Sequence, residues 1–470
     1  MSPRLPPETW AEVFRNLDHP DWIQLRQVCR AFGTIGAKSL FSSIRIYLFR
    51  TDTYGALGEG LETVDEREEV IGGPAKGLTV KSWEILDHIT RNPNFAVLVR
   101  TLIVYANGFP QDFEYLCLEN AIRKLPCLTN FRWLGSQGVP DIVAQSLPDS
   151  LTSLCLPGIP ETDSFAHLRH LCEMAVKACQ YEEDHTIFQN LIANNTESLR
   201  ILSLPSNLCA GLPVRLFDNL THLHIGFFGE STVGFEFALR HVTVIESLSL
   251  RLDIPGHEIE IVHSLLDNSD AFTNLVSLQL SFVSHVPDRW RADLISFIRE
   301  RRKLRRLYLD SIAVNMGPEV YSLIRALPDL QVLGLEPCHP AYRHNYPPDY
   351  LHHFLPQQLK GFHAKLSSHA FREESANLLD EFGRFKGLTY FSLRDDRSSL
   401  LKPAAFAADK PLLRFIGRNE ELFDVRADRS MPIRWPKLKT GNTVQDDFDD
   451  EDEWWLHNAA HKFAKRYDDD

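Results

Sequence analysis

Cysteine pairing is missing from this chain. Its eight cysteines, at positions 29, 117, 127, 155, 172, 179, 209 and 338 of 470, form no Cys-x-x-Cys pair and mostly lie inside apolar runs. Reduced core thiols have that pattern, which argues against a zinc cluster or a disulfide framework. No run approaches the roughly 18 apolar residues of a membrane helix, and the start MSPRLPPETW has no apolar stretch of signal-peptide type. We therefore expect no membrane association and a cytoplasmic or nuclear location. A broad positive surface is lacking too. With 63 acidic against 50 basic residues the formal net charge is -13, which speaks against sequence-independent binding of nucleic acid. Catalytic signatures are equally scarce: there is no P-loop, no Gly-x-Ser-x-Gly elbow, no His-Glu-x-x-His helix and no Rossmann glycine pattern. The histidines at 339, 344, 352, 353, 363 and 369 match no ligand spacing, so neither a metal nor another cofactor is expected. The chain reads as a non-catalytic protein.

What is present starts at the N-terminus, where three short helices are predicted within LPPETWAEVFRNLDHPDWIQLRQVCRAFGTIGAKSLF. Pro6-Pro7-Glu8 suits a helix start, because proline and an acid are favoured in a first turn whose N–H groups lack acceptors. Trp10, Val13, Phe14 and Leu17 follow at helical spacing, and after the turn Asp18-His19-Pro20-Asp21 a second stripe runs through Trp22, Leu25, Val28, Cys29 and Phe32. So small a unit cannot bury this many apolar side chains by itself, which implies a partner surface.

These residues resemble an F-box, the module that docks substrate receptors onto the Skp adaptor of SCF-type ubiquitin ligases. Leu5-Pro6 with Glu8, then Val13, Phe14, Leu17-Asp18, Asp21, Leu25, Val28-Cys29-Arg30 and Phe32 stand at the recurring positions. Thr9 replaces a usual aliphatic and Trp22 a usual leucine. The resemblance implies an adaptor-binding surface of Leu5, Pro6, Trp10, Val13, Phe14, Leu17, Trp22, Leu25, Val28 and Cys29. It also implies cullin as an indirect partner, with any ubiquitin chemistry carried by other subunits.

Beyond this segment, residues 58–77 are rich in glycine and acids, the composition of a flexible insertion, and KSWEILDHITRN reads as a helix. From about residue 96 one phrase then recurs: apolar, two others, apolar, one other, apolar. It starts at Val99, Leu128, Leu151, Leu199, Leu220, Ile245, Leu275, Leu304, Leu330, Leu359 and Leu388, with a degenerate copy at Leu168-Leu171-Glu173. Most spacings fall between 21 and 30 residues, the length of a leucine-rich repeat, and helical candidates such as residues 293–302 and 319–326 lie between the strands. The expected fold class is α/β. A three-helix F-box (residues 1–46) and an acidic insert with a connecting helix (47–95) precede an irregular leucine-rich-repeat solenoid (96–435) with parallel concave strands and outer helices; an acidic tail with an amphipathic helix (436–470) follows. The asparagine usual in such repeats stands clearly only at Asn207, as in divergent F-box receptors with leucine-rich repeats.

Side chains alternate along a strand, so the residues between the anchors face the concave side. Arg132, His222, His224, Arg251, Arg306, Tyr308, Lys365 and Arg394 are the candidate substrate-binding residues there, with arginine and tyrosine suited to anchor a protein partner. Arg299 to Arg306 reads as the basic last turn of a helix entering a strand. The tail helix, with Trp454, Trp455 and Leu456, is expected to cap the open end of the solenoid. Two functions stay open: a receptor that presents an unknown protein substrate for ubiquitination, or a scaffold that binds the Skp adaptor and a stable partner outside any ligase.

Overall fold

The computed structural model describes residues 37–49 (39 apart), 74–107, 112–135, 137–176, 185–227, 232–252, 257–282, 288–310, 322–336, 355–366, 385–395, 403–418 (409 apart), 421–425, 432–435, 448 and 450–464. The two predicted apolar stripes of the N-terminal segment, from Leu5 to Phe32, lie outside them. Two compact units divide the chain between Ser203 and Leu204.

The first unit stacks strands β1 (Ser43–Phe49), β2 (Thr101–Asn107), β3 (Asn130–Gly135), β4 (Ser153–Leu156) and β5 (Glu173–Val176), each parallel to the next. The first three residues of β6 (Ile201–Pro205) pair with β5. Between strands run α1 (Pro74–Arg91), α2 (Asp112–Ile122) and α3 (Thr186–Asn194) among shorter turns. The recurring phrase forms strands because its second and third anchors, such as Leu102 with Val104 and Phe131 with Trp133, alternate onto one buried face. Helix α1 packs along β1, and Ser82 Oγ accepts from the Tyr47 N–H at 2.8 Å, occupying a donor on the first strand of the stack.

The second unit continues with β7 (His222–Phe227), β8 (Ser247–Leu252), β9 (Ser277–Phe282), β10 (Arg306–Asp310), β11 (Val332–Glu336), β12 (Gly361–Leu366), β13 (Tyr390–Asp395) and β14 (Phe415–Arg418), parallel in order. Helices α4 (Val233–His241), α5 (Glu258–Asp267) and α6 (Asp288–Glu300) lie between the earlier strands. The last two strands, β15 (Glu421–Asp424) and β16 (Ile433–Arg434), are antiparallel and finish the sheet. Helix α7 (Glu451–Ala464) does not take that capping place: it packs on β10, β11 and β12.

One backbone device repeats through both units. The carbonyl of the residue just before a strand accepts two N–H groups from the start of the next strand, as Arg305 O accepts from Gln331 at 2.8 Å and Val332 at 2.9 Å. Arg100, Thr129, Thr152, Cys172, Thr221, Glu246, Val276, Gln331, Lys360 and Thr389 do the same. Ahead of it, the first anchor closes a turn to the residue three back, as in Leu128 N to Leu125 O. This fixes the register and so decides which side chains share a face.

Further expectations need correction. The degenerate repeat is shifted by three residues: Leu171, Met174 and Val176 are its buried anchors and Glu173 faces outward, half-buried. Asn207 is exposed. The asparagine that serves the core is Asn195, 1% exposed, whose Nδ2 donates to Leu168 O at 2.8 Å and Leu191 O at 2.9 Å while its Oδ1 accepts from Leu171 N at 2.9 Å. Within the basic stretch that links helix to strand, Arg301 is buried: it occupies the turn position held by Leu327 in another repeat, reaching Phe297 O and Ser269 O and lying 3.8 Å over the Phe297 ring. Burial lowers its pKa, against the opposing charge of Glu300. Cys172 is exposed, whereas Cys209 is buried and its thiol pushed up by desolvation.

Candidate ligand-binding face

On the strand face opposite the anchors, the second unit carries three ladders set by register. The first runs His222, Ser247, Ser277, Arg306, Val332, Gly361, Tyr390 and Phe415. The second runs His224, Ser249, Gln279, Tyr308, Gly334, His363, Ser392 and Gly417. The third holds Arg251, Ser281, Asp310 and Glu336, with Lys365 paired to Arg394.

Large and small residues interlock in these ladders. Tyr308 is fully buried, its ring lying over Gly334, where any Cβ would stand 2.1 Å from Tyr308 Cδ2. The ring stacks towards His363 with centroids 6.0 Å apart, and both side chains meet one carboxylate: Tyr308 donates to Glu336 Oε1 at 2.7 Å, and His363 Nε2 lies 2.9 Å from the same atom. Ser281 donates to Asp310 at 2.7 Å and Ser249 to Gln279 at 2.9 Å. Burial, then the charges of Glu336 and Asp310, raises the Tyr308 hydroxyl well above its ordinary value, so it stays a donor.

Helix α7 lies on the β10–β12 part of this face. Asp450 starts it, its carboxylate accepting from Asp452 N at 2.8 Å as a helix cap does. The acidic first turn then meets cations: Arg306 Nε stands 2.5 Å from Asp452, Arg306 Nη1 2.8 Å from Glu451, Arg305 3.8 Å from Asp452 and Arg414 3.9 Å from Glu453. One turn on, Leu456 fills the space over Gly361, where a Cβ would come within 3.1 Å, and His457 Nδ1 lies 3.1 Å from the Tyr390 hydroxyl. Phe448 packs against Phe415 and Trp435, with centroids 5.1 and 5.6 Å away. Burial, the largest influence on Arg306, lowers its pKa, but the hydrogen bonds and charges of Glu451 and Asp452 together outweigh it and raise it. Glu451 is lowered, chiefly by its bond to Arg306.

The residues picked out in the sequence therefore fall into three groups. His222, His224, Arg251 and Arg394 are half-buried on the ladders, and Lys365 is placed there by register. Arg306 is held by α7, and Tyr308, expected at the solvent side, is sealed beneath it; the helix that seals it comes from far along the chain. Arg132 belongs to the first unit, where its Nη2 stands 3.9 Å from Glu173. Gly334, Gly361 and Glu336 organise the face without having been named as site residues; alternation alone puts Glu336 on this face, whereas the part played by the two glycines shows only in the register of neighbouring strands. Among the described residues no helix is long and apolar enough to cross a membrane, and no cluster of three or more histidine, cysteine or acidic side chains is placed to hold a metal.

Residues 2–46 match the family described as F-box-like. The chain thus joins an F-box-like domain to a leucine-rich-repeat array of mixed α/β class. A solved leucine-rich-repeat protein of Leptospira interrogans is similar over 68% of this chain and 84% of its own, at 16% identity and a TM-score of 0.29. No curated protein matches the chain. The repeat assignment stands on the strand register described above.

Proposed function

We propose that the chain is the substrate-recognition subunit of an SCF-type ubiquitin ligase. The F-box-like match over residues 2–46 carries this reading, since F-box modules generally dock on the Skp adaptor, and through it on cullin. Leu5, Pro6, Trp10, Val13, Phe14, Leu17, Trp22, Leu25, Val28 and Cys29 supply the apolar docking surface. The repeat array supplies the other half: a long set of parallel strands with polar ladders presents a surface for a protein, and Arg251, His222, His224, Lys365 and Arg394 are its candidate contacts. No bond-making chemistry is assigned to this chain. It acts by holding a substrate at high effective concentration beside the ligase.

The test is affinity purification of the chain with and without proteasome inhibition, followed by its depletion. Cullin in the complex, and bound proteins that accumulate when the chain is lost, support the receptor. A constant assembly lacking cullin, whose members keep their abundance, would instead establish an adaptor-bound scaffold.

A further inference from the structure

Helix α7 occupies the ladders as a ligand would. Its first turn places three acids in succession against Arg306, Arg305 and Arg414, and two of the three, Asp452 and Glu453, are buried. Leu456 then enters a notch that exists because position 361 is glycine, and His457 reaches the buried Tyr390 hydroxyl. Acids first, then an aliphatic residue and a polar aromatic one turn later, is therefore the chemistry this face accepts. Charge-assisted bonds at the helix start favour it twice, through the cations and through the helix dipole.

The fit is good without being complete. Trp454 Nε1 is buried with no hydrogen-bond partner among the described residues, a polar group that water would satisfy if the helix left. Arg414 stops 3.9 Å short of Glu453, and Glu451 keeps over half its side-chain surface in solvent. A segment holding a site in this way lowers the site's apparent affinity for other ligands by the fraction of time it is closed.

We propose that this face is a binding site for acidic protein segments, held in cis by residues 450–464 and surrendered in trans to a partner's segment of the same chemistry. The inference builds on the substrate-receptor reading and names the class of segment recognised.

The experiment uses the full chain and a fluorescent, 15N-labelled synthetic peptide of residues 446–464. Weak binding to the unaltered chain should strengthen about tenfold or more in Glu451→Gln/Asp452→Asn/Glu453→Gln, as the closed fraction falls. Adding Arg306→Glu should abolish it, and a peptide with its acids replaced by amides should not bind. On the unaltered protein, saturating peptide should raise amide hydrogen exchange in residues 451–464, a readout that needs no variant to fold. The proposal is overturned if exchange there does not change, if the neutral peptide binds equally well, or if the triple variant, cooperative in unfolding, binds no more tightly. Adaptor binding by the same preparations is scored separately: its loss would undo the receptor reading, whereas a peptide failure with the adaptor still bound would undo only this site.

Discussion

Replacing Gly334 by alanine tests how the ladders are built. The added Cβ would lie 2.1 Å from Tyr308 Cδ2 and 2.7 Å from Cε2, contacts that real Cβ atoms essentially never make, and a tight 3.1 Å from Cγ. The Tyr308 ring cannot yield freely, because it is fully buried and its hydroxyl is tied to Glu336 at 2.7 Å. Overpacking costs about 1–3 kcal/mol, and losing a hydrogen bond to a charged acceptor about 1.5–3 kcal/mol. Alanine gains about 0.4–1 kcal/mol by restricting the unfolded chain. The net expectation is a loss of about 3 kcal/mol, read as a lower urea midpoint and faster amide exchange in β10 and β11. Gly138→Ala is the control, since nothing stands within 4 Å of its Cβ, and it should show only the gain of about 0.4–1 kcal/mol from the unfolded chain. The reasoning is refuted if both variants unfold alike.

Asn195→Ala should destabilise the first unit by about 3 kcal/mol, as it strips three buried backbone groups of their partner, and Asn195→Asp should be no better, because a carboxylate would face two carbonyls; urea unfolding measures both. Arg301→Leu restores an apolar anchor but leaves Phe297 O and Ser269 O without this donor, so thermal unfolding should still show a loss of about 1–3 kcal/mol. Arg306→Ala leaves the buried Asp452 with Arg305 at 3.8 Å as its remaining cation among the described residues, and exchange in α7 should quicken at least tenfold relative to α6, about 1.4 kcal/mol. The pH dependence follows from Glu451, whose folded pKa lies below its ordinary value because of Arg306. Its stabilisation is complete above the unfolded value of about 4.3 and is lost as pH falls through the lower folded value, so exchange in α7 should rise only in acid and should lose that dependence in Glu451→Gln.

The repeat anchors were legible because a strand that buries one face must alternate, and phrases such as Leu275, Leu278 and Leu280 leave that alternation in the sequence. Two parallel strands escaped for local reasons, besides the antiparallel pair β15 and β16. Phe41, Ile44 and Ile46 carry the phrase into β1 but abut the stretch that resembles an F-box, and β14 ends on Arg418 where a third apolar residue was sought. The register of β5 slipped because Leu168 and Leu171 are both fully buried, so either could serve as first anchor. What covers the opposite face was not legible at all. The bond from Arg306 to Asp452 spans 146 positions, and no local period encodes a contact of that range. Arg306 and Tyr308 looked like exposed anchors because alternation tells which face a residue takes and says nothing about what lies on it. The acidic run before Trp454 carried the missing half of the information, but only pairing it with the basic and aromatic ladder positions would have revealed the match.

The central claim is that the N-terminal segment couples the repeat array to the ligase adaptor. Co-expression of the full chain with a Skp adaptor, followed by size exclusion with light scattering, tests it directly, alongside a variant in which Leu5, Pro6, Val28 and Cys29 are replaced by alanine or polar residues. A stable one-to-one complex, abolished in a variant whose array still unfolds cooperatively, is the predicted result. Separate elution of the unaltered chain and the adaptor would contradict it and leave a repeat protein whose partners are unrelated to the ligase.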